Sequence, residues 1–249
     1  MAETRRPRGL PVLSSVMLVV AAATLLTSCG GSKTGTPTLS SVDTLRAGID
    51  AAQHMSTFRR QMKGLVDGET LISDAQFVVG KGAVISRQQL SGARLHGLVI
   101  GDTAYLTGNA SWFAIEFGAA AKQVQKVVGN KLIVMAVADS PVKTLAATDA
   151  FFPELARLSA TSPGELAKIS TGRVVDGVPT TAFESTSSES DSVRVHIANN
   201  ATHLPMVVES TDGSFEMVFS QWGDSVTLDV PAPSQTITLE QIASALGRS

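Results

Sequence analysis

One residue in this chain has chemistry that its neighbours specify. Cys29 is the single cysteine among 249 residues, and it follows Leu26-Thr27-Ser28 at the end of an apolar run near the N-terminus. A leucine, two small polar residues and a cysteine, placed where a secretory signal is cut, form a lipobox. The thiol takes a diacylglyceryl group and the peptide bond before it is cleaved. The flanks agree: Arg5, Arg6 and Arg8 make a positive segment, and Leu10–Leu26 is broken only by small polar residues and Pro11. That run is too short, and too rich in alanine, serine and threonine, for a membrane-spanning helix, which takes about 20 apolar residues. Thr4-Arg5-Arg6 has the look of a twin-arginine export signal, but Pro7-Arg8 interrupts it where apolar residues are needed. The alternative is an ordinary cleaved signal with an incidental cysteine. A free thiol in an exported chain is a liability, whereas a lipidated one is not. Acyl burial contributes about 0.8 kcal/mol per CH₂, so two or three chains hold a protein to a bilayer where one does not.

The sequence then divides into a lipoprotein signal peptide (1–28), a lipidated tether (29–39) and a single domain (40–249). The expected location is extracytoplasmic, with the membrane partner reached through the lipid anchor on the outer face of the plasma membrane.

No other constellation carries chemistry. No Gly-x-Ser-x-Gly elbow occurs, and His54, His96, His196 and His203 have no HExxH spacing. With its one cysteine lipidated, the chain has no thiolate metal site, and neither a metal nor a cofactor is expected. His196 and His203 flank a turn and read as exposed strand histidines. Glu189 and Asp191 sit in a serine-rich loop and read as solvating. Gly80-Lys81-Gly82 is a hairpin turn rather than a phosphate loop, since no helix follows it. Asn109-Ala110-Ser111 and Asn200-Ala201-Thr202 match glycosylation sequons of the kind turns make by chance. Trp112 and Trp222 read as core or rim aromatics. An enzyme is not expected. Removing residues 1–28 leaves 221 residues and takes away Glu3 and three arginines, which shifts the formal charge from −2 to −4. No basic patch remains, so nucleic acid is excluded as a partner.

The elements follow from periodicity. Ser40 and Asp43 open a helix on which Val42, Leu45, Ile49 and Ala52 recur at helical spacing to about Met55. From Phe58 to Phe117 the period is two, giving short strands at Arg59–Val66, Thr70–Val79, Ala83–Leu90, Ala93–Ile100, Thr103–Thr107 and Ser111–Glu116, separated by glycine turns. Residues 119–170 read as an apolar helical insert: Ala119–Val128, Leu132–Ala138, Ser140–Ala147, Glu154–Ser159 and Gly164–Ile169. Strands resume at Gly172–Val175, Val178–Thr186, Ser192–Asn199, Leu204–Ser210, Ser214–Gln221 and Val226–Val230. Thr238 and Gln241 cap a last helix bearing Leu239, Ile242, Ala243 and Leu246. The fold class is α+β. About eleven strands in one antiparallel order cannot stay flat, so the sheet curls into a half-barrel covered by helices.

Such a curl encloses an apolar space that is either a ligand cavity or a filled core. Voids cost about 24 cal/mol per Å³, which argues that an empty space of this kind has an occupant. On the sheet, the residues assigned to the hollow side are Phe77, Val79, Leu95, Val99, Val195, Ile197, Phe215, Met217 and Phe219. Above it stand Leu132, Val137, Leu145, Phe151 and Leu155. A register error of one residue would invert the sheet set.

Tyr105-Leu106-Thr107-Gly108 followed by Trp112-Phe113, then Phe219-Ser220-Gln221-Trp222-Gly223 and Val226–Val230 running into Pro231-Ala232-Pro233, resembles the LppX/LprA/LprF/LprG group of mycobacterial envelope lipoproteins. The likeness spans most of the mature chain, as a rhythm rather than a fingerprint. It implies a fold like the lipoprotein carrier LolA, a curved sheet wrapped on a helical lid. It also implies a cavity for an acylated lipid or glycolipid, with an envelope transport partner that receives it. The alternative is an interaction or regulatory lipoprotein whose half-barrel is filled. The resemblance transfers no individual ligand residue.

Overall fold

The alternating stretches, most of them separated by short turns, pair into one open sheet of twelve strands. The computed structural model describes residues 41–66, 69–147, 166–185 and 193–247, all within one compact unit, Leu39–Ser249. In chain order the strands are β1 (Thr57–Val66), β2 (Glu69–Val78), β3 (Gly82–Gln89), β4 (Arg94–Ile100), β5 (Thr103–Gly108) and β6 (Leu132–Ala136). After them come β7 (Leu166–Val175), β8 (Val178–Ser185), β9 (Val193–Ala198), β10 (Pro205–Ser210), β11 (Phe215–Ser220) and β12 (Thr236–Thr238). Their spatial order is β12-β6-β5-β4-β3-β2-β1-β11-β10-β9-β8-β7. Two meanders are therefore stitched together where β11 returns beside β1, with Arg60 opposite Phe219 and Gly64 opposite Phe215. Every pairing is antiparallel except β12 on β6.

Helices α1 (Ser41–Gln53), α2 (Ala110–Phe117), α3 (Ala121–Val128), α4 (Lys143–Ala146) and α5 (Leu239–Ala245) gather on the side of the sheet where the buried apolar residues alternate. Leu45, Ile49 and Ala52 of α1 are buried, and the helix lies on β7, β9 and β10. Thr238 and Gln241 form the expected capping box: the Thr238 hydroxyl accepts from the Gln241 N–H at 3.2 Å, and the Gln241 side chain accepts from the Thr238 N–H at 3.0 Å. Gly82 is required where it stands. Its φ is 157°, and a β-carbon there would lie 1.9 Å from the Val99 carbonyl oxygen.

Four element assignments change. Ser111–Glu116 is not a strand but most of α2. The Asn109 side chain accepts from the Trp112 N–H at 3.0 Å, and Phe113 with Phe117 repeats at helical spacing. Leu132–Ala138 is not a helix. Leu132–Ala136 forms β6, because an unbroken apolar run has no period to separate the two states and its core is β-branched. The Gly164–Ile169 helix gives way to β7, which begins at Leu166. Val226–Val230 joins no ladder, and Thr236–Thr238 takes the place beside β6.

Candidate functional site

The covered face of the sheet is built by parity. On β1 it shows Phe58, Arg60, Met62 and Gly64, and on β2 Leu71, Ser73, Ala75 and Phe77. The ladder places Phe58 opposite Phe77, Arg60 opposite Ala75 and Met62 opposite Ser73. Ala83, Ile85 and Arg87 continue the face on β3, and Leu95, Gly97 and Val99 on β4. In the other direction it carries Phe215, Met217 and Phe219 on β11, Val208 on β10, and Val195 and Ile197 on β9.

Of the residues expected to face a hollow, Phe77, Leu95, Val99, Leu145, Val195, Ile197 and Phe219 are buried members of one continuous apolar cluster. Val79, Val137, Phe215 and Met217 are half-buried against it. Leu132 does not belong with them. Ile133 stands opposite the buried Leu106, so Leu132, one residue away, points to the other face. There it lines an open hollow of about 660 Å³ with Asn130, Lys131, Val230 and Pro231. Phe151, Leu155 and Cys29 lie outside the described residues, as do Glu189 and Asp191.

The face has two regions. Around Phe58, Phe77 and Phe219 it is tightly packed: the Phe58 and Phe77 rings stack with centroids 4.7 Å apart, and Trp222 stacks on Phe58 at 5.3 Å. Val142, just before α4, closes over Gly97. Toward the far ends of β1, β9 and β11 the apolar side chains are looser, and Met62, Val193, Phe215 and Met217 are only partly buried. Methionine there is apt for irregular apolar shapes, because its unbranched thioether adapts to what it touches. A crevice of about 60 Å³ opens beside Arg87, Leu95 and Trp112, large enough for water but not for an acyl chain.

Besides the half-buried Arg87, two fully buried polar side chains interrupt this oily surface, and sequence reasoning passed over both. Arg60 is 6% exposed, yet no carboxylate pairs with it among the described residues. Its guanidinium lies 4.9 Å from the centre of the Phe77 ring and donates from Nη2 to the Leu145 carbonyl at 2.6 Å. Nε has no acceptor. Burial without a counter-charge pulls its pKa down to about 10. Ser73, 2% exposed, also has an unpartnered hydroxyl. It stands opposite Arg87, which donates from Nη1 to the Pro141 carbonyl at 3.2 Å. The signal was present: Arg60 shares the parity of Phe58 and Met62 on β1, and Ser73 that of Leu71, Ala75 and Phe77 on β2.

The opposite face, on β7–β11, holds a polar network. Glu209 Oε1 lies 3.1 Å from His196 Nε2 and accepts from Arg194 at 3.3 Å; Arg194 also donates to Glu184 at 3.0 Å. His196 is buried here, not exposed as its strand position suggested. Burial pushes its pKa below the usual histidine value, more than the neighbouring Glu209 carboxylate raises it. Thr180 Oγ1 lies 3.3 Å from His196 Nδ1, so Thr180, His196 and Glu209 form a row. This is not the geometry of an activated nucleophile: the hydroxyl is shut off from solvent and donates to the Arg173 carbonyl at 2.7 Å. Among the described residues no cluster of three or more His, Cys, Asp or Glu could hold a metal, and no helix is long and apolar enough to cross a membrane.

The arrangement so defined, a broad open sheet with one oily face under short helices, has solved counterparts. Lipoprotein LppX from Mycobacterium tuberculosis aligns over 76% of this chain and 97% of its own, at 17% identity and a TM-score of 0.46. LprF from Mycobacterium bovis aligns over 77% and 96%, at 12% identity and a TM-score of 0.50. MucB of Pseudomonas aeruginosa, in its complex with MucA, aligns over 78% of this chain and 59% of its own, at 15% identity and a TM-score of 0.35. The chain has an LprF-like fold. No family model matches the sequence, and no curated protein does.

Proposed function

We propose that this chain is an envelope lipoprotein, held to the outer face of the plasma membrane through acyl groups on Cys29, that takes an acylated lipid or glycolipid onto the oily face of its sheet and helps carry it across the envelope. The role is binding and transfer, without catalysis. The observation that carries the reading is the loosely covered end of that face, where Met62, Val193, Phe215 and Met217 are only partly buried. Apolar groups left unburied inside a fold cost about 25 cal/mol per Å², and acyl chains recover that cost on binding. An LprF-like fold and the lipobox support the same reading. The acyl chains belong at the Met62–Met217 end rather than over Phe77 and Leu95, where the sheet is already packed.

That packed end favours a second reading, a filled half-barrel that serves as an interaction module. Native mass spectrometry of the full chain, purified from a host that makes envelope lipids, separates the two. The transport reading expects a non-covalent lipid adduct that is released at raised collision energy, in addition to the covalent mass on Cys29. Repeated preparations free of any adduct would support the interaction module instead.

A further inference from the structure

Among the described residues the buried cation at Arg60 has no counter-charge. Desolvating a guanidinium costs several kcal/mol, which ion pairing usually offsets. Here the guanidinium meets a carbonyl and an aromatic ring instead. Resting on the lipid-binding reading, we infer that Arg60 and Ser73 form an anion subsite in the oily face, which takes the phosphate, or a phosphate-like oxyanion, of the bound lipid's head group.

Three observations converge on it. Arg60 Nε and Ser73 Oγ are both buried and both lack a partner, so two donors wait for an acceptor. They share a face: Arg60 is opposite Ala75 and Ser73 is opposite Met62, one step along the same β1–β2 ladder. Arg87 stands across from Ser73 on the next strand and adds a second positive charge, whose partner among the described residues is the Pro141 carbonyl rather than a carboxylate. A planar guanidinium beside a hydroxyl suits the geometry of a tetrahedral oxyanion. The subsite also borders the looser region, since Met62 separates Arg60 from Gly64 on β1 and Met217 is opposite Met62. Acyl chains on the Met62–Met217 side would leave their charged end at Arg60.

The test uses the purified full chain and two probes with identical acyl chains, dihexanoyl phosphatidic acid and dihexanoylglycerol, with inorganic phosphate as a third arm. Binding is read by calorimetry on the wild type and on Arg60→Met. The wild type is expected to prefer phosphatidic acid by about tenfold or more, the increment of one charge-assisted hydrogen bond. Arg60→Met should bind the two lipids equally, and Ser73→Ala should narrow the preference. Competition by inorganic phosphate would mean that the subsite takes the free anion as well. No competition, with the lipid preference intact, would mean that it takes the anion only on acyl chains. Equal binding of both lipids by the wild type would overturn the subsite and leave lipid binding standing. A preference that survives in Arg60→Met would remove Arg60 from it. Binding of neither lipid would remove the lipid-binding reading itself.

Discussion

Gly48 of α1 and His203 in the turn between β9 and β10 meet backbone to backbone: a β-carbon on Gly48 would sit 2.1 Å from the His203 carbonyl oxygen. His203 has a φ of 49°, so the turn that presents this oxygen is itself sharply bent. The absence of one side chain is what lets Leu45 and Ile49 reach the sheet.

Gly48→Ala is therefore expected to destabilise the domain, against the general rule for helices. Replacing glycine by alanine in an exposed helix gains up to about 1 kcal/mol. Overpacking a contact that cannot yield costs about 1–3 kcal/mol, and here the obstructing atom is backbone. A urea midpoint that falls in the variant supports the close contact. An unchanged or raised midpoint would show that α1 rides clear of the turn.

Arg60→Met should act in the other direction on the ligand-free protein. Replacing a buried, poorly compensated charge with an apolar side chain of similar volume stabilises by about 1–4 kcal/mol in comparable cases. The lost bond to the Leu145 carbonyl offsets part of that. The expected net result is a higher thermal midpoint without ligand. A lowered midpoint would mean that the Leu145 contact outweighs the buried charge, and that Arg60 is a structural strut.

The oily face was legible where period two applies cleanly. Phe77, Val195, Ile197, Phe215, Met217 and Phe219 share one side because every second residue must, and the ladders keep that parity across β1, β2, β9 and β11. Leu132 was expected on a helix above the sheet because its run, Leu-Ile-Val-Met-Ala, is apolar throughout and has no period to tell helix from strand. Ser111–Glu116 looked alternating only because the capping asparagine that starts a helix there also resembles a turn residue. Arg60 and Ser73 were missed because a polar residue in a strand is ordinarily taken as solvent-facing. Parity nevertheless places Arg60 with Phe58 and Met62, and Ser73 with Leu71, Ala75 and Phe77.

Asn109 is the most heavily used side chain in the turn after β5. Its oxygen accepts from the Trp112 N–H and the Arg94 N–H, both at 3.0 Å, and its Nδ2 donates to the Gly92 carbonyl at 2.8 Å. Loss of a helix cap costs about 0.5–2 kcal/mol. Asn109→Ala, which loses two further bonds as well, is expected at the upper end of that range. Asn109→Asp keeps the acceptor and loses only the donation, so it should recover most of the difference. Thermal midpoints of the three proteins check this order; an alanine variant as stable as the aspartate would mean that the cap is idle.

Stability should also depend on pH through His196. Burial pushes its folded pKa below the unfolded value of 6.5, and the Arg173 and Arg194 charges act the same way, while Glu209 opposes them. The folded state therefore binds fewer protons than the unfolded chain near that value, and stability rises with pH there. The contribution is fully present above pH 6.5 and is lost as pH falls through the depressed folded pKa. Glu209 adds to the same trend at lower pH. Burial raises its pKa, but the His196 hydrogen bond, the Arg173 charge and the Arg194 hydrogen bond bring it below the ordinary 4.5. The wild-type urea midpoint is thus expected to fall between about pH 7 and pH 5, the histidine range. His196→Phe, which cannot titrate, should flatten that interval while keeping the decline below it. A wild-type midpoint that climbs on acidification would mean that the Glu209 carboxylate, rather than burial, sets the charge on His196.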